Sequence, residues 1–190
     1  MTTTNISISV KKRFGGTVRS PEIISRVLED DGTFPNNPNL PLLVYKGALN
    51  PDGTDPASMV ENIFGTYQWT GSWRNGIYGF HHYHSTAHEV LGIYGGSVRT
   101  QLGGPGGITV EAGKGDVIII PAGVAHKNLG SSRDFRCVGA YAGGRSWDMN
   151  YGKPEERPAA DHNIAQVPFP EMDPVYGPEG PLLRQWESGE

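Results

Sequence analysis

From about Ile77 onward, apolar and polar side chains alternate with a period of two, whereas several earlier stretches repeat with a period near 3.6. Alternation of this kind marks strands with one buried face. It predicts strands over 77–84, 89–94, 97–102, 108–111, 116–120, 124–128 and 135–142. Gly95-Gly96, the GGPGG run at 103–107 and the AGKG run at 112–115 separate several of them as turns. Many short strands at close spacing predict a sandwich or barrel of antiparallel strands.

The first 75 residues read as a lead-in packed onto that barrel. Ser20-Pro21 fits an N-cap followed by a first-turn proline, with Ile23, Ile24, Val27 and Leu28 at helical spacing and Gly32 as a stop. The prolines of FPNNPNLP (34–41) predict a loop, and LLVY at 42–45 a short strand. Asp55-Pro56 opens a second predicted helix whose apolar face is Met59, Val60, Ile63, Phe64 and Tyr67. Beyond Gly143 the chain is rich in proline and acidic residues, with isolated anchors at Trp147, Tyr151, Phe169, Tyr176 and Trp186. A tail that wraps over the body is expected there. The organisation expected is thus one domain over 1–190, with a lead-in at 1–75, a barrel core at 76–142 and a wrapping tail at 143–190.

Composition narrows the function classes. The 190 residues carry a formal charge of −4, and the nearest thing to a basic patch is Lys11, Lys12 and Arg13, a solvated strand end. Neither nucleic acid nor an acidic membrane is expected as a partner. The single cysteine, Cys137, lies in the apolar run FRCVGAY and reads as a small core residue; one cysteine closes no intrachain disulfide, which suits a reducing compartment. The opening MTTTNISISVKKRF lacks the apolar stretch of a signal peptide, and no later run approaches membrane-spanning length. A soluble, cytoplasmic protein is expected. The LGGPGG stretch lacks the Lys-Ser/Thr ending of a phosphate loop and reads as a hairpin turn.

The candidate chemistry lies in GIYGFHHYHSTAHEVLGIYGG (76–96), where four of the six histidines fall within eight positions. On a strand, His82 and His84 share one face, and His81 and Tyr83 take the other. Two imidazoles one residue apart grip a borderline metal ion. Glu89 lies five positions beyond His84, the wrong parity on an unbroken strand, so a turn at Ser85-Thr86-Ala87 must intervene before it can join them. Were the strand to run straight through, His88 would share that face instead. A set of three histidines and a glutamate favours harder divalent ions, and four histidines favour Zn, Cu or Ni; spacing leaves both open. His126, which follows the apolar strand and Pro-x-Gly turn of GDVIIIPAGVAH, is the distant partner.

These residues resemble the cupin superfamily. Gly76, His82, His84, Glu89 and Gly96 match its first motif, Gly-x5-His-x-His-x4-Glu-x6-Gly. Gly115, Pro121, Gly123 and His126 match the second, Gly-x5-Pro-x-Gly-x2-His; its final asparagine departs, with Gly130 at that position and Asn128 two residues early. The match covers 76–142, and the lead-in and tail are similar to the YjlB-like single-domain cupins. The resemblance implies an all-β jelly-roll barrel with a short helical N-terminal lead-in and an extended C-terminal tail. It implies one divalent transition metal per chain (Fe, Mn, Zn, Ni or Co) held by His82, His84, Glu89 and His126, and so favours Glu89 over His88. His88 is then left as a catalytic candidate beside the ligands or a residue tying the turn.

Four protein ligands leave positions on such an ion for water, dioxygen or substrate. The expected function is a metal-dependent enzyme of dioxygenase, decarboxylase or isomerase type acting on a small oxygenated or carboxylated molecule. The alternative is a cupin without catalysis that binds a small ligand or stores metal. A homodimer is expected from the family, with the alternating ISISV at 6–10 suited to extending a partner's sheet.

Overall fold

The computed structural model describes residues 14–187. Among the described residues, nine strands form two antiparallel sheets. In chain order they are β1 (Glu22–Leu28), β2 (Asn37–Lys46), β3 (Trp69–Asn75), β4 (Glu89–Gly95), β5 (Ser97–Leu102), β6 (Ile108–Gly113), β7 (Val117–Ile120), β8 (His126–Ser131) and β9 (Arg136–Ala142). The larger sheet has the order β1-β2-β7-β4-β9-β3 and the smaller β6-β5-β8. The non-consecutive neighbours make this the jelly roll that the alternation and the motifs anticipated.

Strand β7 shows why the core has two layers. Its four residues are all buried, with Ile118 and Ile120 facing the cluster between the sheets and Val117 and Ile119 facing an outer cluster. A strand covered on both faces must be apolar throughout, as VIII is. The outer cover includes α1 (Pro56–Thr66), whose N-cap Asp55 accepts from the Ser58 N–H at 3.0 Å. Val60, Ile63 and Phe64 carry its buried face. Gly92 on β4 admits this helix: a Cβ there would stand 2.6 Å from Val60 Cγ1 and 2.8 Å from Phe64 Cζ.

The lead-in differs from the sequence reading. Residues 22–28 form strand β1 rather than a helix, pairing from Glu22↔Lys46 to Arg26↔Leu42 along β2. Three of the four apolar residues there, Ile23, Ile24 and Val27, are β-branched, and the free edge of β2 offers hydrogen bonds that an isolated turn of helix cannot match. Strand β2 also extends back through Pro38 and Pro41, which a loop was expected to hold. Both prolines fall in the register shift between Leu42 and Asn37, where their missing N–H groups break no pairing. Strand β3 was not anticipated, because WTGSWRN hides its alternation behind small polar residues. In place of the expected strand over 77–84 there are only isolated bridges at His82 and Tyr83.

The tail carries two short helices, α2 (Ala159–Gln166) and α3 (Pro181–Glu187), together with a 3-10 turn at Pro154–Glu156. It is anchored by buried Asp173, whose carboxylate accepts from Tyr45 Oη at 2.7 Å and from the N–H groups of Val175, Tyr176 and Leu182 at 2.8, 2.9 and 3.1 Å. Burial pushes this carboxyl above its ordinary range, with the donors opposing. Trp186 of α3 is buried and donates to Pro41 O at 2.9 Å. No helix among the described residues is long and apolar enough to cross a membrane. Residues 6–10, the expected dimer edge, lie outside the described residues.

Candidate metal centre

His82 and His126 face each other across a short antiparallel bridge. The His82 N–H donates to His126 O at 3.2 Å, and the His126 N–H donates to His82 O at 2.9 Å. The Pro121–Val124 turn delivers β8 to this position. Gly123, at φ 93°, donates its N–H to His84 O at 2.8 Å. A Cβ there would lie 2.2 Å from Asn36 O, so the glycine of the second motif is a packing requirement.

Each of the three imidazoles has one nitrogen occupied by the backbone. His82 Nδ1 meets Phe80 O at 3.1 Å, His126 Nδ1 meets Val124 O at 3.2 Å, and His84 Nδ1 meets Asp148 O. A carbonyl can only accept, so each Nδ1 carries a hydrogen, and in the neutral imidazole Nε2 keeps its lone pair. Ring nitrogens of His82, His84 and His126 all lie within 4.8 Å of one another, and all three residues are buried.

Glu89, the first residue of β4, joins them. Its Oε2 stands 3.5 Å from His84 Nε2 and 3.2 Å from His126 Nε2, yet this buried oxygen has no hydrogen-bond partner. Two ligands of one ion, each bonded at about 2.1 Å, can stand at most about 4.2 Å apart, and both separations fall inside that limit. A stranded carboxylate oxygen beside imidazole lone pairs is the donor arrangement a divalent cation satisfies. The residues present therefore fit a metal ion.

Burial and the neighbouring charges act differently on each of these groups. Burial, reinforced by His126, pushes His82 down to about 3, so it is neutral near neutral pH. Burial alone would raise Glu89, but the adjoining imidazoles, His84 foremost, outweigh it and hold the carboxyl well below its ordinary range. Burial likewise opposes charge on His84, and the Glu89 carboxylate overcomes it to leave that imidazole above its ordinary value.

His88 is not brought to the cluster. The chain bends at Ser85 and Thr86, and His88 points into the outer layer, where its Nδ1 accepts from the Ala122 N–H at 2.9 Å and its ring lies 4.8 Å from that of Trp186. Burial depresses it to about 3. His81 faces away as well, its ring 5.4 Å from Phe34.

The bend is held by a residue that sequence reading missed. Asp148 Oδ1 accepts from the N–H of Ser85 at 2.6 Å and of Thr86 at 3.3 Å, and Oδ2 accepts from the Ser85 hydroxyl. With its carbonyl on His84 Nδ1, this one tail residue positions both His84 and the bend leading to Glu89. Nothing local in the SWDMNYG stretch signals the pairing, because the partner lies on a distant segment.

Above the nitrogens lies a pocket of about 310 Å³, lined by His82, His84, Glu89 and His126 and by Trp73, Tyr78, Leu91, Tyr141, Trp147 and Met149 among others. Trp147 and Met149 come from the tail, whose side chains line the space over the histidines rather than fill it.

No family model matches the chain. The uncharacterized protein YjlB of Bacillus subtilis (strain 168) is 43% identical over 157 residues, spanning 83% of this chain and 92% of that protein. The chain belongs to the YjlB family. With its jelly roll and both histidine motifs, it is a YjlB-like cupin. Among solved structures, acireductone dioxygenase from Bacillus anthracis, with a cadmium ion in its active centre, is 18% identical at a TM-score of 0.34. That likeness covers 44% of this chain and 57% of the dioxygenase, so the match spans little more than half of that enzyme. A Klebsiella pneumoniae protein with a double-stranded β-helix domain is 16% identical at a TM-score of 0.34, over 80% of this chain and 97% of that one. Neither distant likeness bears on what this YjlB-family chain does.

Proposed function

We propose that this cupin is a metal-dependent enzyme of dioxygenase, decarboxylase or isomerase type, acting on a small oxygenated or carboxylated molecule. His82, His84, Glu89 and His126 would hold one divalent transition-metal ion. The observation that carries the reading is the stranded Glu89 oxygen among three imidazoles, at the floor of an open pocket. When bound, the ion supplies Lewis-acid polarisation of an oxygen ligand.

The protein's own groups do the rest. The backbone carbonyls of Phe80, Val124 and Asp148 fix the three tautomers, and Glu89 balances one unit of the cation's charge. Leu91, Trp147 and Met149 give the space above the imidazoles an apolar wall. A cupin that only binds a ligand or stores metal is favoured by a plugged mouth, and the tail side chains leave the pocket open. In this reading His88 is a structural residue beneath the site.

Protein purified without a histidine tag and analysed for metals should carry close to one transition-metal ion per chain, and His84→Ala should lose it. Wild-type protein free of metal after growth in metal-replete medium would overturn the metal reading. Loaded separately with Fe, Mn, Zn, Ni or Co, the protein should turn over a member of a panel of diketones, diphenols, oxalate and sugar phosphates. Full metal occupancy without turnover on any panel member would favour the binding alternative.

A further inference from the structure

The pocket's walls narrow the substrate class. Trp147 and Tyr78 are each close to half exposed, yet both stand against the imidazoles: Trp147 lies 5.2 Å from the His84 ring and Tyr78 lies 5.3 Å from the His82 ring, centroid to centroid. Trp147 is also stacked on Tyr141 at 5.8 Å with 24° between the planes. Tyr78 is likewise stacked on Phe80 at 4.9 Å with 17° between the planes, so each ring is backed on one face and its exposed part offers a flat ring a stacking surface beside a polar floor. A space of about 310 Å³ is at the small end for ligand pockets and suits a single ring.

Charge excludes other classes. Among the described residues, Arg74 is the one arginine or lysine lining the pocket, and its guanidinium is already engaged. Its Nε and Nη2 donate to Glu61 at 2.9 and 2.6 Å, and Nη2 also donates to Ser58 Oγ at 2.8 Å. A phosphate or a second carboxylate on the ligand would find no unpaired cation there. Tyr141 sits opposite Glu89 in the β4–β9 pairing, its oxygen accepts from Trp73 Nε1 at 2.9 Å, and its hydroxyl is turned to the Glu89 carboxylate. Its one hydrogen is committed to Glu89, and its ring backs Trp147 at the pocket wall.

We propose that the pocket takes a small planar ring bearing two adjacent oxygens, an ortho-diphenol, with the ring against Trp147 and Tyr78 and the oxygens toward the imidazoles. This rests on the metal reading above, since adjacent oxygens would bind as a chelating pair. Trp147 is then a specificity-determining residue that neither motif contains, and Tyr141 stacked behind it is a positioning residue.

The test uses the full chain loaded with zinc, which has no redox chemistry, titrated calorimetrically with catechol, resorcinol, oxalate and glycerol 3-phosphate. Catechol should bind at least about tenfold more tightly than the other three, the factor expected when a chelating oxygen or the ring is lost. Trp147→Ala should weaken catechol about threefold to tenfold at unchanged zinc content, Trp147→Phe should restore most of it, and oxalate should be indifferent to both. Zinc bound with resorcinol, oxalate or glycerol 3-phosphate matching catechol, or catechol insensitive to Trp147→Ala, would overturn this inference alone. Failure of the wild-type chain to retain zinc would overturn the metal reading and this inference with it.

Discussion

Asp148→Ala removes the clamp on the bend between His84 and Glu89, and its cost follows from what each partner keeps. The Ser85 hydroxyl still accepts from Asn163 Nδ2 at 3.0 Å, and the Thr86 hydroxyl still donates to Ser146 O at 3.0 Å. The Ser85 N–H, on a fully buried residue, loses its 2.6 Å carboxylate acceptor with no replacement. Losing a bond to a charged acceptor and stranding a buried donor costs about 3 kcal/mol. For 190 residues the unfolding entropy is about 0.4 kcal/mol/K, so the melting temperature should fall by about 7 °C. Zinc affinity, read by competition with a chelating dye, should fall about tenfold to a hundredfold, because the bend carries two of the four proposed ligands. Asp148→Asn keeps an oxygen for the Ser85 N–H and should recover most of the melting temperature. The hydrogen bonds from Ser85 and Asn150 outweigh burial and lower the Asp148 carboxyl below its ordinary value. Its contribution is therefore fully present above the ordinary carboxylate range and is lost as acid takes the pH down through the folded value. Melting within about 1 °C of wild type with unchanged zinc affinity would refute the positioning role.

Other perturbations test the frame around the site. Asp173→Ala strands three backbone N–H groups and the Tyr45 hydroxyl, and should cost about 3–5 kcal/mol in urea unfolding. Because burial raises the Asp173 carboxyl, the sign is opposite to Asp148: in wild type its ionisation costs stability as pH rises from the ordinary carboxylate range through the folded value, and Asp173→Asn should flatten that slope. Gly92→Ala drives a Cβ into Val60 and Phe64 and should destabilise by about 1–3 kcal/mol, measured by circular dichroism melting. Glu89→Gln keeps the shape at the floor of the pocket while removing the anion. Metal retention through dialysis should drop sharply while the melting temperature of the metal-free protein holds.

Much of the architecture was legible because one face of each strand is buried and the chain must alternate to match it. The strands at 97–102 and 135–142, the helix opened by Asp55-Pro56, and the shared face of His82 and His84 all follow from local periodicity and capping. The parity argument even specified a bend before Glu89, since without one His88 would face the imidazoles. What local pattern could not decide was partnership. Ile23, Ile24, Val27 and Leu28 satisfy helical spacing, and only the free edge of β2 makes them a strand. His88 and Glu89 are adjacent, and the tail decides how each is used: Asp148 holds the bend before them and Trp186 packs against His88. Trp73, Tyr141 and Trp147 meet over the histidines from three separate segments. Hydrophobic periodicity records which side of its own element a residue faces. Hydrogen bonds and ring contacts between distant segments form only once those elements are assembled, and it was these that turned four matched residues into a pocket with walls.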